Sequence, residues 1–173
     1  MLHLRPRVLP GCQRVMDSRI TVLPVAGRRR DGTDSFGNAV TWLFLDRPHP
    51  EFEVAAEARV EVEFPAPPEA GSTMPWDAAV SAARRDPDAD AFVEGSPMAP
   101  AHEEAARYAA PSFATGRPVL AALLDLNARI RHDFAFRAGV TTLSTPIAEV
   151  LRRREGVCQD FTHLMIGALR GLG

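Results

Sequence analysis

Lysine is missing from this chain, and all 20 of its basic residues are arginine. Together with the heavy use of alanine and proline, this is the mark of a GC-rich bacterial genome and bears on origin rather than function. An excess of positive charge is missing too, since 22 acidic residues leave a net charge of −2. Neither nucleic acid nor an anionic membrane is expected as an obligatory partner, because both reward a clear basic surplus. No apolar run approaches the ~18–20 residues of a membrane helix. The opening ten residues carry Arg5, Arg7 and two prolines but no apolar core of a signal peptide, which would be roughly 7–15 residues long. The cytoplasm is therefore the expected compartment. Cysteine is scarce, with 2 in the chain, Cys12 and Cys158, too few for a disulfide scaffold. The alternating Asp86, Asp88 and Asp90 lack the glycine and distal glutamate of a calcium loop. No metal and no cofactor is expected.

What is present is ordinary globular material. The 173 residues, 46% hydrophobic and 24% charged, allow one domain or two small ones. The first third reads as β-structure. Phe52, Val54, Ala56, Ala58, Val60, Val62 and Phe64 alternate with Glu51, Glu53, Glu57, Arg59, Glu61 and Glu63. A period of two sends these sets to opposite faces and predicts a strand with one face buried and one wet. Arg19 to Val25 and Ala39 to Leu45 are further strands by their β-branched and aromatic content. Arg28 to Asn38 between them reads as a connecting hairpin loop. Its Arg28-Arg29-Arg30 run is expected at a solvated tip, offset by Asp31 and Asp34. Leu2, Leu4 and Val8 suggest a partial first strand. Cys12 follows Pro10-Gly11 and reads as an ordinary thiol.

Pro65-Ala66-Pro67-Pro68 ends this region. Residues 69–117 form a Pro/Ala-rich connector divided by Pro87, Pro97, Pro100 and Pro111. Short helices are expected over Trp76–Arg85 and Ala101–Ala110. The connector is expected to pack, because Trp76, Phe92, Tyr108 and Phe113 would otherwise lie in solvent. Trp42 and Trp76 are both expected in a core or interface.

The last third is helical. After Pro118, Val119, Leu123, Leu126, Ile130 and Phe134 recur at three- and four-residue spacing. Thr145-Pro146 reads as an N-cap and first-turn proline, with Gly156 as the helix stop. A final helix begins near Cys158, with Phe161, Leu164, Met165, Ala168, Leu169 and Leu172 on one stripe.

Cys158 is the candidate for chemistry. A thiol at a helix start lies near unpaired backbone N–H groups at the positive end of the helix dipole. That favours thiolate, the nucleophilic form. The same N–H groups, at Cys158 and Gln159, suit the oxyanion of a tetrahedral intermediate. Asp160 would oppose the thiolate if its carboxylate lay close. The residues alone also admit the opposite reading, an inert buried thiol.

The run Ser144-Thr145-Pro146-Ile147-Ala148-Glu149-Val150-Leu151, followed by Arg154-Glu155-Gly156-Val157-Cys158-Gln159-Asp160-Phe161-Thr162-His163-Leu164, resembles the nucleophile region of bacterial transglutaminase-like proteins. Tyr108 to Phe113 and Leu126 to Phe134 are similar to that family's lead-in, and Asp34 to Phe44 to its preceding β-domain. The resemblance implies an α+β chain: an N-terminal antiparallel β-sandwich over 1–68, the connector over 69–117, and an incomplete, mainly helical papain-like core over 118–173. It implies Cys158 as nucleophile, with a protein or peptide substrate. The thiolate attacks a glutamine-type carboxamide, releases ammonia, and passes the acyl group to an amine or water. Some relatives act as peptidases or amidases by the same steps.

The family's histidine and aspartate follow the cysteine helix, beyond Gly173, so the expectation is a truncated and catalytically incomplete chain. His163, five residues on, would lie about 140° round the helix and roughly 7.5 Å along it, out of reach of the thiol. His132 is expected as a solvated cap, and His3, His49 and His102 offer no base. The Leu169 stripe is expected to lack the sheet it needs. The competing reading is a non-catalytic β-sandwich binding module, with 1–68 folded and the chain beyond about 118 readily cleaved.

Overall fold

A computed structural model describes residues 4–173, so Leu2 and His3 lie outside the described residues. The architecture is α+β and forms two compact units, Met1–Ala66 and Pro67–Gly173. The segment 69–117 falls in the second unit.

The first unit is two antiparallel ladders. β1 (Gln13–Leu23) pairs with β4 (Glu53–Val62), and β2 (Arg28–Thr33) pairs with β3 (Ala39–Phe44). β1 begins six residues before the expected Arg19, and a bulge explains why. The register shifts between Val15 and Asp17, so Val15 pairs with Val60 while Ser18, Ile20 and Val22 pair with Ala58, Ala56 and Val54. Met16 is the extra residue, and it moves the apolar set from odd to even positions while keeping it on one face. Arg28-Arg29-Arg30 lies within β2 and not at a hairpin tip. Arg28 stacks on Phe44 and Arg30 on Trp42, each the residue directly opposite in the register. The turn itself is Asp34–Asn38, where the Asp34 carboxylate accepts from the N–H groups of Phe36 and Asn38 at 2.9 and 2.8 Å.

Burial departs from the alternation. A 340 Å³ cavity lies between the ladders, with Ile20 and Val54 on one wall and Val40 and Trp42 on the other. Among the described residues of this unit only Val22 counts as buried, while Val60, Val62, Phe64 and Trp42 are exposed. β4 thus has one half-buried residue, Val54, in place of a whole buried face. Alternation assigns residues to faces; whether a face is covered depends on a partner layer that a two-stranded ladder does not supply.

The second unit holds the core. α1 (Trp76–Ala83), α2 (Pro87–Val93) and α3 (Glu103–Ala109) precede α4 (Val119–Asp133), α5 (Ile147–Arg153) and α6 (Cys158–Leu172). The two-residue strands β5 (Ala135–Phe136) and β6 (Glu155–Gly156) run parallel. Ala105, Ala109, Phe113, Leu126, Ile130, Val150, Leu164 and Ala168 form its centre. Of the two units the helical one holds more of the buried apolar residues. Leu164 and Ala168 of the α6 stripe are buried, with α3 and α5 packed against the helix, whereas Phe161, Met165, Leu169 and Leu172 are half-buried. Leu169 lines an apolar groove with Trp76, Phe113 and Leu123.

Two glycines allow the approach of α6 to α3. A Cβ at Gly167 would lie 2.9 Å from the Pro100 carbonyl oxygen, and one at Gly171 2.9 Å from the Ala106 Cβ. Phe92 is exposed, unlike Trp76, Tyr108 and Phe113, which pack on the cluster. Pro87 opens α2 rather than breaking the chain, with the Asp86 carboxylate capping the Asp88 N–H at 2.9 Å.

Candidate active site

The approach to Cys158 begins at α5. Its N-cap is Pro146, and Thr145 does not fill that role. The Thr145 hydroxyl instead accepts from the Thr142 N–H at 2.8 Å, in a turn facing backwards. The helix ends at Arg154 and not at Gly156. Arg154 takes the left-handed conformation (φ 56°) and donates its N–H to the Val150 carbonyl at 2.9 Å. Its guanidinium lies over the rings of Tyr108 and Phe134, 5.1 and 4.8 Å from their centroids.

Gly156 has a different task. A Cβ there would meet Asp160 Oδ2 at 2.9 Å. The bare Cα lets the Asp160 side chain fold back over the chain. Asp160 is 3% exposed, and its Oδ2 accepts from the Val157 N–H and the Thr141 hydroxyl, both at 2.7 Å. This is the acidic half of a capping box, holding the N-cap from the third helical position. The carboxylate is thus turned onto Val157 and Thr141.

Cys158 is the first residue of α6 and is exposed, which removes the buried-thiol reading. Its own carbonyl accepts from the Thr162 hydroxyl at 2.8 Å, which ties down the first turn. Gln159 donates through Nε2 to the Leu143 carbonyl at 3.3 Å, so its amide anchors a neighbouring loop. The backbone N–H groups of Cys158 and Gln159 have no hydrogen-bond partner among the described residues, as first-turn groups do not. Beside them runs a 400 Å³ cleft lined by Thr141, Thr142, Leu143, Val157, Gln159 and Asp160.

Three of the histidines are engaged elsewhere. His132 Nδ1 meets the Asp133 carboxylate at 2.9 Å, His102 Nδ1 accepts from the Ala105 N–H at 3.3 Å to cap α3, and His49 meets the Arg47 carbonyl at 2.9 Å. Among the described residues the Cys158 sulfur has no hydrogen-bond partner, and no group of three or more His, Cys, Asp or Glu suits a metal ion. Cys12 is half-buried in the first unit.

Residues 1–61 match the family described as the bacterial transglutaminase-like N-terminal region. The first 61 residues carry that family's N-terminal region. Uncharacterized proteins of Mycobacterium tuberculosis and Mycobacterium bovis are 36% identical to it over 164 residues, covering 93% of this chain and 52% of theirs. The chain therefore spans about half the length of these relatives. A crystal structure of a Cytophaga hutchinsonii protein named a "putative cysteine protease" shares the fold. It aligns with a TM-score of 0.68 at 19% identity, over 98% of this chain and 56% of that one. No helix among the described residues is long and apolar enough to cross a membrane.

One feature of the second unit joins residues that the sequence pattern does not connect. The guanidinium carbons of Arg129 and Arg154 lie over the Tyr108 ring, 4.7 and 5.1 Å from its centroid, and the Tyr108 hydroxyl donates to Asp133 Oδ2 at 2.9 Å. Burial, then the bond to Asp133, pushes its phenol up to about 12. The bonds from His132 and then Tyr108 hold the Asp133 carboxyl below its usual range. Tyr108 is the only tyrosine, so ultraviolet titration reads it alone. It is expected to ionise near pH 12 and not near the ordinary 10.0. Its contribution to stability is then present below the unfolded value and is lost as pH rises through about 12. An inflection at or below pH 10.0 refutes the packing described.

Proposed function

We propose that Cys158 is the nucleophile of a cysteine acyl-transfer site. The Cys158 sulfur bonds to the carbonyl carbon of a glutamine-type carboxamide in a protein or peptide. The carbonyl electron pair moves onto oxygen beside the Cys158 and Gln159 N–H groups. On collapse the C–N bond breaks, and the nitrogen leaves as ammonia, taking up through water the proton that the thiol released. The thioester then passes to an amine or to water. The observation that carries this reading is an exposed thiol as the first residue of a 15-residue helix whose start is anchored by the buried Asp160.

The thiol needs a base to cycle, and no histidine among the described residues meets it. This chain is therefore proposed to react once at Cys158 without turning over. Hydrolysis instead of transfer is the variant favoured by the name of the Cytophaga hutchinsonii structure. The two share the thioester and separate at the acceptor.

The test pairs iodoacetamide labelling with ammonia release from a glutamine peptide, with and without a primary amine. Cys158 is expected to alkylate faster than the same cysteine in the urea-unfolded chain, and Cys158→Ser to abolish that labelling. Steady ammonia release by this chain, retained in Cys158→Ser, would show that another group does the chemistry.

A further inference from the structure

Among the described residues other than glycine, Arg154 alone has a positive φ, at 56°. A residue with a Cβ is disfavoured there, so something must hold it. Arg154 is also where the chain turns from α5 toward the nucleophile. Its carbonyl accepts from the Ala135 N–H at 2.8 Å, and the Gly156 carbonyl from the Arg137 N–H at 2.9 Å. The Val157 N–H then meets Asp160 at 2.7 Å, and the Val157 carbonyl accepts from the Phe161 N–H at 3.1 Å. From residue 154 to residue 157 the backbone is thus bonded on both sides. The left-handed corner sets the direction in which it enters α6.

The platform under the guanidinium does not depend on Arg154. Tyr108 is fixed by Asp133 through its hydroxyl and by Arg129 on its ring, and Arg129 donates to the Ser112 hydroxyl at 3.0 Å. Phe134 is buried and packs edge-to-face on Phe161, in the first turn of α6, with centroids 5.9 Å apart. Arg154 makes no ion pair among the described residues, so the stacks are its side-chain contacts.

We infer that Arg154 is a positioning residue for Cys158: its guanidinium, laid over the Tyr108 and Phe134 rings, holds the left-handed corner that delivers the thiol to the start of α6. This rests on the nucleophilic role proposed for Cys158.

The test is the rate of iodoacetamide labelling of Cys158 across pH in the full chain, read by peptide mass spectrometry. Circular dichroism checks that each variant folds. Arg154→Ala keeps a Cβ and loses the stacks. It is expected to slow labelling at neutral pH roughly tenfold, the equilibrium factor for an unrelieved left-handed residue. Arg154→Gly takes the left-handed corner freely and is expected to recover most of the rate. Tyr108→Leu is expected to slow labelling in the parent chain but to add nothing in the Arg154→Gly background. A wild-type rate in Arg154→Ala overturns the inference and leaves the nucleophile standing. Arg154→Gly as slow as Arg154→Ala also overturns it, because the guanidinium would then act on the thiol by charge. Wild-type labelling no faster than in urea removes the nucleophile, and the positioning role with it.

Discussion

Asp160→Ala is expected to destabilise the second unit by about 2–4 kcal/mol, from the loss of two hydrogen bonds to a buried charged group and the stranding of their donors. The carboxylate is 3% exposed and takes the Val157 N–H and the Thr141 hydroxyl, each at 2.7 Å. Truncation leaves an amide at the N-cap and a threonine hydroxyl facing a void. It also removes a negative charge from the positive end of α6, a smaller term of about 0.3–1 kcal/mol. Asp160→Asn keeps an acceptor and loses the charge, so its midpoint should fall between those of wild type and Asp160→Ala. Urea unfolding followed by circular dichroism measures both. A shift below about 0.5 kcal/mol for Asp160→Ala, the range of ordinary surface substitutions, would mean that the first turn of α6 stands without its cap.

Leu164→Ala should cost more, about 3–5 kcal/mol, the range for a fully buried leucine whose cavity cannot collapse. Leu164 has 0% exposure and sits in the cluster with Ala105, Leu126, Ile130 and Val150. Its neighbours are held from several directions. Gly167 and Gly171 on the same helix press against the start of α3, so α6 has little freedom to sink into the hole. A single domain is stable by about 5–15 kcal/mol in all, so the loss takes a large share. The unfolding midpoint should fall with an unchanged slope, as expected when stability and not compactness changes. A loss under about 1.5 kcal/mol, what volume-conserving swaps cost, would show that the core is not packed as described.

The helical half was largely legible because its signals are local. Leu126 and Ile130, and likewise Leu164 and Ala168, stand four apart and are buried, as their periodicity implies. The position of Cys158 at a helix start follows from the break before it and the stripe after it. The strands were harder. One inserted residue at Met16 cancels the alternation of β1 over its length, and three adjacent arginines mask β2 because their contacts are with Phe44 and Trp42 across the ladder. Whether the even face of β4 is covered depends on a partner layer, about which a strand's own pattern is silent. At the site the misreadings were of backbone roles. Gly156 is needed for the approach of Asp160, whereas the helix stop falls on an arginine, a residue whose left-handed state is decided by rings 20 and 46 positions away in the chain. Thr145 has the composition of a cap and spends its hydroxyl on Thr142.

The 2 tryptophans are divided between the units, Trp42 in the first and Trp76 in the second. Trp42 is half in solvent beneath an arginine, whereas Trp76 donates its indole N–H to the Ala114 carbonyl at 3.0 Å and meets Phe113 edge-on. Each unit therefore carries its own fluorophore in a different polarity. Two single-tryptophan variants, Trp42→Phe and Trp76→Phe, turn the emission spectrum into separate reporters of how the two halves melt.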